Sequence, residues 1–303
     1  MTENLSTAER TSQLAPPNAE QATPILAPRP EARMSSAGRP GPGRLRRLFG
    51  QIPNGAYTAL LLGILLVLAQ LSASNEWISP HLVPAPTDVW SAFTDGVERG
   101  LYWRHAQSTL SAMLGGFLVS STLALLVAAV LVSSPRLEGI IAPLIVGFEA
   151  VPKVAVAPLV LLWVGFGQSA KVTIVVMATF FPILVSALQG LRVRDRDTYE
   201  VMRVLGASRL ELLRYLQFPG ALPSIFAGLK IGIVFALLGA VVAELVGAYN
   251  GLGYLLMLER ANFNAPGVYA ILLILMVIGI FIQVVMSRIE NRVAFWARDH
   301  SRS

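Results

Sequence analysis

The sequence predicts an all-α membrane protein of six transmembrane helices, with both termini and one long helical loop in the cytoplasm. Three observations predict it. Of the 303 residues, 54% are hydrophobic and only 14% charged, whereas a soluble domain carries about 25% charged residues. Lipid is therefore the expected solvent for most of the surface. No Asp, Glu, Lys or Arg occurs between Arg47 and Glu76, Arg104 and Arg136, Lys171 and Arg192, or Arg260 and Arg288. The Lys and Arg residues outside these windows are unevenly shared between the two sides.

Residues 1–50 precede the first apolar run. They are rich in Pro, Ala, Ser, Thr and Arg and bury too little apolar surface to offset chain entropy, so they are expected to be a disordered cytoplasmic tail. The first apolar run starts near Ala56, too deep in the chain and too long for a signal peptide. Residues 51–303 form the membrane domain. The four charge-free windows each hold about 20 mostly apolar residues, enough to cross ~30 Å of hydrocarbon. They place helices at about 55–73, 107–132, 169–190 and 267–287. Two further apolar segments carry isolated charges, at about 139–165 with Glu149 and Lys153, and at about 222–247 with Lys230 and Glu244.

Orientation follows from the basic residues. With the N-terminus inside, the cytoplasmic side receives Arg44, Arg46, Arg47, Arg136, Arg192, Arg194, Arg196, Arg203, Arg209, Arg214, Arg288, Arg292, Arg298 and Arg302. The outside receives Arg99, Arg104, Lys171 and Arg260. Positive residues concentrate on cytoplasmic loops, which also accounts for the net charge of +6 and a pI near 10.0 without nucleic acid as a partner. There is no Cys, which excludes disulfides, thiolate metal sites and a Cys nucleophile. His81, His105 and His300 are too scattered for metal-ligand spacing, so no metal is expected.

Between the first two spans, Pro84, Pro86 and Thr87 read as a helix start with Thr87 as N-cap. Val89, Trp90, Phe93 and Val97 then share one face, and Tyr102 and Trp103 follow. This predicts a short amphipathic helix at the outer interface. A docking surface for a soluble partner is compatible with the same pattern.

The segment 191–219 is long and charged, yet keeps helical periodicity. Val201, Val204 and Leu205 share one face, and Leu210, Leu213 and Leu216 another. Asp197 or Thr198 caps the first piece. Gly206 separates the two, because a residue without Cβ tolerates positive φ at a helix end. Pro219 and Pro223 mark the start of the next span.

At these residues the chain resembles the permease subunits of ABC importers. Their cytoplasmic coupling loop reads Glu-Ala-Ala, three residues, Gly, nine residues, Ile, one residue, Leu-Pro. Glu200, Gly206, Leu216, Phe218 and Pro219 stand at the Glu, Gly, Ile, Leu and Pro positions, while Val201 and Met202 replace the two Ala. The resemblance covers roughly residues 80–300 and extends to Pro84-Ala85-Pro86, Pro152–Gly167, Phe181-Pro182, Phe218–Pro223, Ala243-Glu244 and Gly251-Leu252-Gly253. It is greatest to the sulfonate, nitrate and taurine group. It implies a type I importer permease in the bacterial inner membrane, working as a pair, in a homodimer, with a cytoplasmic ATPase and a solute-binding protein. The loop would dock on the ATPase. ATP and Mg would be bound there and not on this chain, in which no G-x-x-x-x-G-K-[ST] phosphate loop occurs.

The charges inside spans admit two readings each. Glu149 and Lys153, four apart, form an ion pair within the bundle or line the translocation path. Glu244, just before Gly251 and Gly253, guards an outer gate or hydrogen-bonds to exposed backbone and fixes the loop. Lys230 reaches the inner interface. Gly115, Gly116, Gly228 and Gly232 let helices approach. The competing function is a stand-alone ion-coupled transporter, which needs coupling charges in several spans and often an internal repeat. A membrane enzyme would need clustered acid, base or metal groups at one depth.

The topology has a direct test, since the native chain lacks Cys. A single Cys at Asp95 reacts with an impermeant thiol reagent from outside, and one at Arg209 does not. The reverse pattern would invert the assignment.

Overall fold

Along the described residues the chain is helical almost throughout, with no strand. The computed structural model describes residues 54–75, 79, 82–192 and 196–294. The expected tail over residues 1–50 lies outside them, as do His81 and His300. The described residues from Thr58 onward form one compact unit, and residues 54–57 belong to a separate one.

The long helices are α1 (Asn54–Ser74), α3 (Leu101–Val132), α6 (Gln168–Leu191), α9 (Phe218–Gly247) and α11 (Ala265–Val293). The shorter ones are α2 (Pro86–Glu98), α4 (Pro135–Glu149), α5 (Lys153–Val164), α7 (Arg196–Val204), α8 (Arg209–Leu212) and α10 (Leu252–Ala261). A π-helical stretch, Leu213–Gln217, joins α8 to α9. The core is the packing of α3, α6 and α9, through Met113, Phe117, Val175, Ile183, Ile233 and Ala240. Small residues permit the approach. A Cβ added at Gly116 would lie 2.5 Å from Val175, one at Gly228 2.5 Å from Ser186, and one at Gly232 2.7 Å from Ile183. The expected role of these three glycines therefore holds, whereas Gly115 has only ordinary contact.

Among the described residues four helices are long and apolar enough to cross a membrane: Leu101–Val132, Gln168–Leu191, Arg209–Gly247 and Ala265–Val293. The expected span at 139–165 is not one rod. It is the pair α4 and α5, bent by 93° at a short break. The break falls at Ala150–Pro152, where Pro152 supplies an N-cap in extended conformation and has no N–H to continue α4. Counted as one span, the pair makes five. The sixth expected span corresponds to α1, whose apolar stretch Leu60–Ser74 falls short of the other helices in length. Its residues Leu60–Leu68 are exposed on all sides, as suits a helix that meets lipid.

The break also changes the reading of Glu149 and Lys153. The Lys153 ammonium donates to the backbone carbonyl of Glu149 at 3.2 Å rather than to its carboxylate, so the expected ion pair is not formed. An i,i+4 pair needs a continuous turn of helix, and the bend removes it. Lys153 instead satisfies a carbonyl at the end of α4, where the last turn leaves such groups unpaired.

Two other expectations are refined. The N-cap of α2 is Ala85, with Pro86 in the first helical position. Thr87 lies inside the helix and exchanges hydrogen bonds with Gln70 of α1. Val89 and Gly96 are the buried positions, while Trp90 and Val97 are exposed, so the predicted apolar face is split. The Tyr102 ring lies against Gly96 and stacks on Phe93 at 5.9 Å. Lys230 does not simply extend to an interface but pairs with Glu290 of α11.

Two measurements test this packing. Gly228→Leu overpacks the α6–α9 contact and lowers stability by about 1–3 kcal/mol, read as a lower melting temperature in detergent. Charge reversals at Glu149 and Lys153, singly and together, give additive stability effects, with coupling below about 0.5 kcal/mol. A larger favourable coupling would restore the ion pair.

Candidate functional site

Apart from Glu149 and Lys153, the sequence-predicted residues fall at two opposite ends of the α3–α6–α9 core. At one end lies the loop between α6 and α9. At the other lies the turn between α9 and α10.

In the loop, α7 ends in a left-handed residue. Gly206 has φ +88°. Its N–H bonds to the Arg203 carbonyl at 3.1 Å, and the Ala207 N–H to the Met202 carbonyl at 3.0 Å. This is the Schellman arrangement, which satisfies two carbonyls at a helix end and requires positive φ at the residue after it. Ser208 starts α8 with a capping box. Its N–H donates to Glu211 Oε2 at 2.7 Å, and its hydroxyl accepts from the Glu211 N–H at 3.3 Å. The Ser-x-x-Glu spacing over 208–211 carries that signal in the sequence, although apolar periodicity alone passes over it.

The second piece differs from expectation. Helix runs without interruption from Arg209 to Gly247, 39 residues, through Pro219 and Pro223. The π stretch explains how. The Phe218 N–H bonds to the Leu213 carbonyl, and this wider turn just ahead of Pro219 relieves the clash of its ring with the preceding turn. Leu212 is buried, Leu213 and Leu216 are half-buried, and Leu210 is exposed.

The loop presents apolar side chains outward. Val204 is 87% and Leu205 80% exposed, and Val201 is exposed too. Glu200 is exposed and Met202 half-buried. Met202, Leu205, Ala207, Glu211 and Tyr215 line a cleft of about 300 Å³ around Gly206. Two contacts, one at the start of the loop and one at the start of α8, reach back. Arg209 donates to the Ser133 carbonyl at 3.2 Å, and Arg192 pairs with Glu138 at 2.8 Å. Both tie the loop to the α3–α4 corner.

At the opposite end Glu244 is 1% exposed and Lys171 2%. They form an ion pair at 3.0 Å. The Lys171 ammonium also donates to Ser108 Oγ at 2.9 Å, the Asn250 carbonyl at 2.6 Å and Asn250 Oδ1 at 2.8 Å. Glu244 accepts from the Thr109 hydroxyl at 2.9 Å and the Gly253 N–H at 2.9 Å. The Leu252 N–H donates to Thr109 Oγ1 at 2.9 Å, and the Gly251 N–H to His105 Nδ1 at 3.0 Å.

These last bonds have a common purpose. The first N–H groups of a helix have no partner within it, and α10 starts here. Three successive N–H groups are met by side chains of α3 and α9, and the carboxylate also complements the positive end of the helix. Gly251, at φ +116°, and Gly253 are glycines because the Glu244 side chain packs against both. Of the two readings of Glu244, the geometry supports the backbone partner. Sequence reasoning does not single out Lys171, Thr109, His105 or Asn250 for this site. A Lys just inside one apolar run and a Glu just inside another are mutual candidates, since buried charge in a membrane is paired.

Among the described residues no group of acidic or His side chains has metal-site geometry. Glu149 and Lys153 belong to neither end but to the α4–α5 break.

Comparisons with known proteins agree with this architecture. The profile described as "Binding-protein-dependent transport system inner membrane component" matches residues 120–295. The riboflavin transport system permease protein RibX of Chloroflexus aurantiacus is 36% identical over 77% of this chain and 87% of that protein. The formylaminopyrimidine transport permease protein ThiX of Halalkalibacterium halodurans is 32% identical, over 78% and 93%. The taurine transport system permease protein TauC of Escherichia coli K12 is 28% identical, over 83% and 94%. Among solved structures, an inward-facing MetNI methionine ABC transporter superposes with a TM-score of 0.54 at 21% identity, covering 62% of this chain and 93% of that one. The matched residues include α6, α9, the loop between them and the α9–α10 turn, and the chain belongs to the family of binding-protein-dependent transport inner-membrane components, the permeases of ABC importers.

Proposed function

We propose that this permease carries a small solute inward across a bacterial inner membrane, driven by a separate ABC ATPase and supplied by a solute-binding protein. It acts with a second permease, an identical copy, has both termini in the cytoplasm, and performs no catalysis of its own. ATP and Mg bind the partner ATPase. The solute is an organic sulfonate, nitrate or related anion. The taurine relative supports that class, while the riboflavin and formylaminopyrimidine relatives extend it to other small solutes. The α4–α5 break at Glu149–Lys153 borders the path, because non-helical backbone at membrane depth is tolerated where it lines a cavity or is buried in protein.

The observation that carries this reading is the loop over 191–219. Val201, Val204 and Leu205 are held outward by a rigid glycine-terminated corner, in a segment whose basic residues favour the cytoplasm. Exposed apolar side chains on a fixed corner suit insertion into a groove of a partner. Glu200 would meet the groove's wet rim, and Met202, Leu216 and Pro219, each half-buried, would contribute less to the outward face.

A second reading, the ion-coupled transporter, gains nothing from this corner. Its buried charges at the α9–α10 turn are fully engaged with each other and with backbone.

The test is at Gly206. Its Cβ position is open space, so a substitution there meets no neighbour and acts through backbone alone. Gly206→Val disfavours the left-handed corner by about 1–2 kcal/mol. Membrane abundance is expected to stay near wild type, while ATPase pull-down weakens and uptake of taurine and riboflavin is lost in cells that supply the partner subunits. Glu200→Ala has a smaller effect, since an exposed charge contributes about 0–1 kcal/mol. Undiminished ATPase binding by Gly206→Val would remove the loop from the function.

A further inference from the structure

Lys171 is the buried cation of a permease expected to pass anions, and an anion site would be its obvious use. The geometry points elsewhere. An ammonium has three hydrogens. Lys171 Nζ already lies within 3.0 Å of four acceptors: Ser108 Oγ, Glu244 Oε1, the Asn250 carbonyl and Asn250 Oδ1. No donor remains for a solute, and the group is almost wholly covered. Its charge is matched by Glu244, so the pair presents no net charge to the path.

What the pair holds is the turn over 248–251. Asn250 is gripped by both its carbonyl and its side chain, and the N–H groups of Gly251, Leu252 and Gly253 are each taken by a side chain. Tyr249, in the same turn, is 79% exposed. Its ring meets that of Phe166 at 6.4 Å. Phe166 sits between Gly165 and Gly167, both at positive φ, and its ring lies where a Cβ on Gly247 would be. The turn and the α5–α6 corner thus meet through two exposed aromatic rings, and only one of the two loops is pinned by buried charge.

We propose that Lys171 is a positioning residue: with Glu244 it forms a clamp of no net charge that fixes the α9–α10 turn at the outer mouth and holds Tyr249 against Phe166, and its ammonium does not bind the solute. The inference rests on the permease reading for the word mouth, and on the geometry alone for the clamp. Loss of the clamp frees the turn, and the mouth then opens without the signal that normally opens it.

The experiment uses the full-length chain, which has no native Cys. Phe166→Cys with Tyr249→Cys gives a pair whose cross-linking rate by a short bifunctional thiol reagent reads the contact in native membranes. Lys171→Met strands a buried carboxylate and is expected to slow cross-linking by about tenfold or more. Lys171→Arg keeps the charge, but a planar fork cannot converge on four acceptors grouped around one nitrogen, so it is expected to slow cross-linking comparably. Glu244→Gln guards against misfolding of the Lys171 variants. It keeps the volume, but the carboxylate uses one oxygen for Lys171 and the other for the Gly253 N–H, and an amide puts an NH2 donor in place of one of them, so cross-linking slows at normal membrane abundance. A wild-type rate in Lys171→Arg or Glu244→Gln overturns the proposal.

A second readout separates positioning from mere support. In the reconstituted transporter without binding protein, the same variants raise MgATP hydrolysis by about fivefold, the scale of an ordinary coupling energy. Slowed cross-linking with unchanged hydrolysis overturns the functional part. If the wild-type chain supports no uptake with any ATPase, the permease reading fails, and the cross-linking comparison still decides the clamp.

Discussion

Hydrocarbon offers no hydrogen bond to a peptide group, and each unmet N–H or carbonyl there costs several kcal/mol. That constraint governs the breaks and helix ends at membrane depth, and helix ends elsewhere among the described residues meet the same need for partners locally. The long helices meet it internally. The remaining difficulty is confined to helix ends, breaks and prolines, and each is met by a specific device. The end of α7 uses the Schellman bonds around Gly206. The start of α8 uses the Ser208–Glu211 box. The passage through Pro219 uses a π turn. The α4–α5 break uses the Lys153 ammonium on the Glu149 carbonyl. The start of α10, the most deeply buried of these, uses Thr109, His105 and Glu244, and the last of these brings a charge that Lys171 balances.

This ordering accounts for what is legible in the sequence. Spans are read from composition, because a chain that must cross hydrocarbon cannot carry unpaired charge for about 20 residues. The windows around α3, α6 and α11 and the apolar run in α9 are therefore visible, as is the Gly206 corner, where one residue type answers one backbone need. The Glu149–Lys153 pair fails for an instructive reason. Spacing of four implies proximity of side chains only on a continuous helix, and Pro152 breaks it. Thr87 is not the cap because Pro86, one residue earlier, already fits the first helical position.

Lys171 is out of reach for a different reason. Its partners lie 63, 73 and 79 residues away, and no local pattern encodes them. Read singly, it counts as one more positive residue on an outer flank. A buried pair is costly to assemble, and the net contribution of such pairs to stability takes either sign. Its value lies in satisfaction: with both partners present the charged groups and the first N–H groups of α10 all have mates, and with one removed the other is stranded. Such a pair is better suited to fixing a conformation than to adding stability.

The two ends of the core are joined by one element. The helix from Arg209 to Gly247 starts one residue after the capping Ser208 and carries Glu244 in its last turn. At 1.5 Å per residue it is about 58 Å long, and its contacts with α6 are close enough that glycine is required at 228 and 232. A helix packed this tightly transmits displacement better than it absorbs it. Its weak point is the π stretch, where a wider turn and two nearby prolines interrupt the regular ladder. On the proposed function, movement imposed at Gly206 reaches the α9–α10 turn through a single rod, with the π stretch as the place where some of that movement is converted to bending. On that reading, a loop that pushes on one end of a rod and a neutral clamp that resists at the other would favour two definite positions of the mouth over a range.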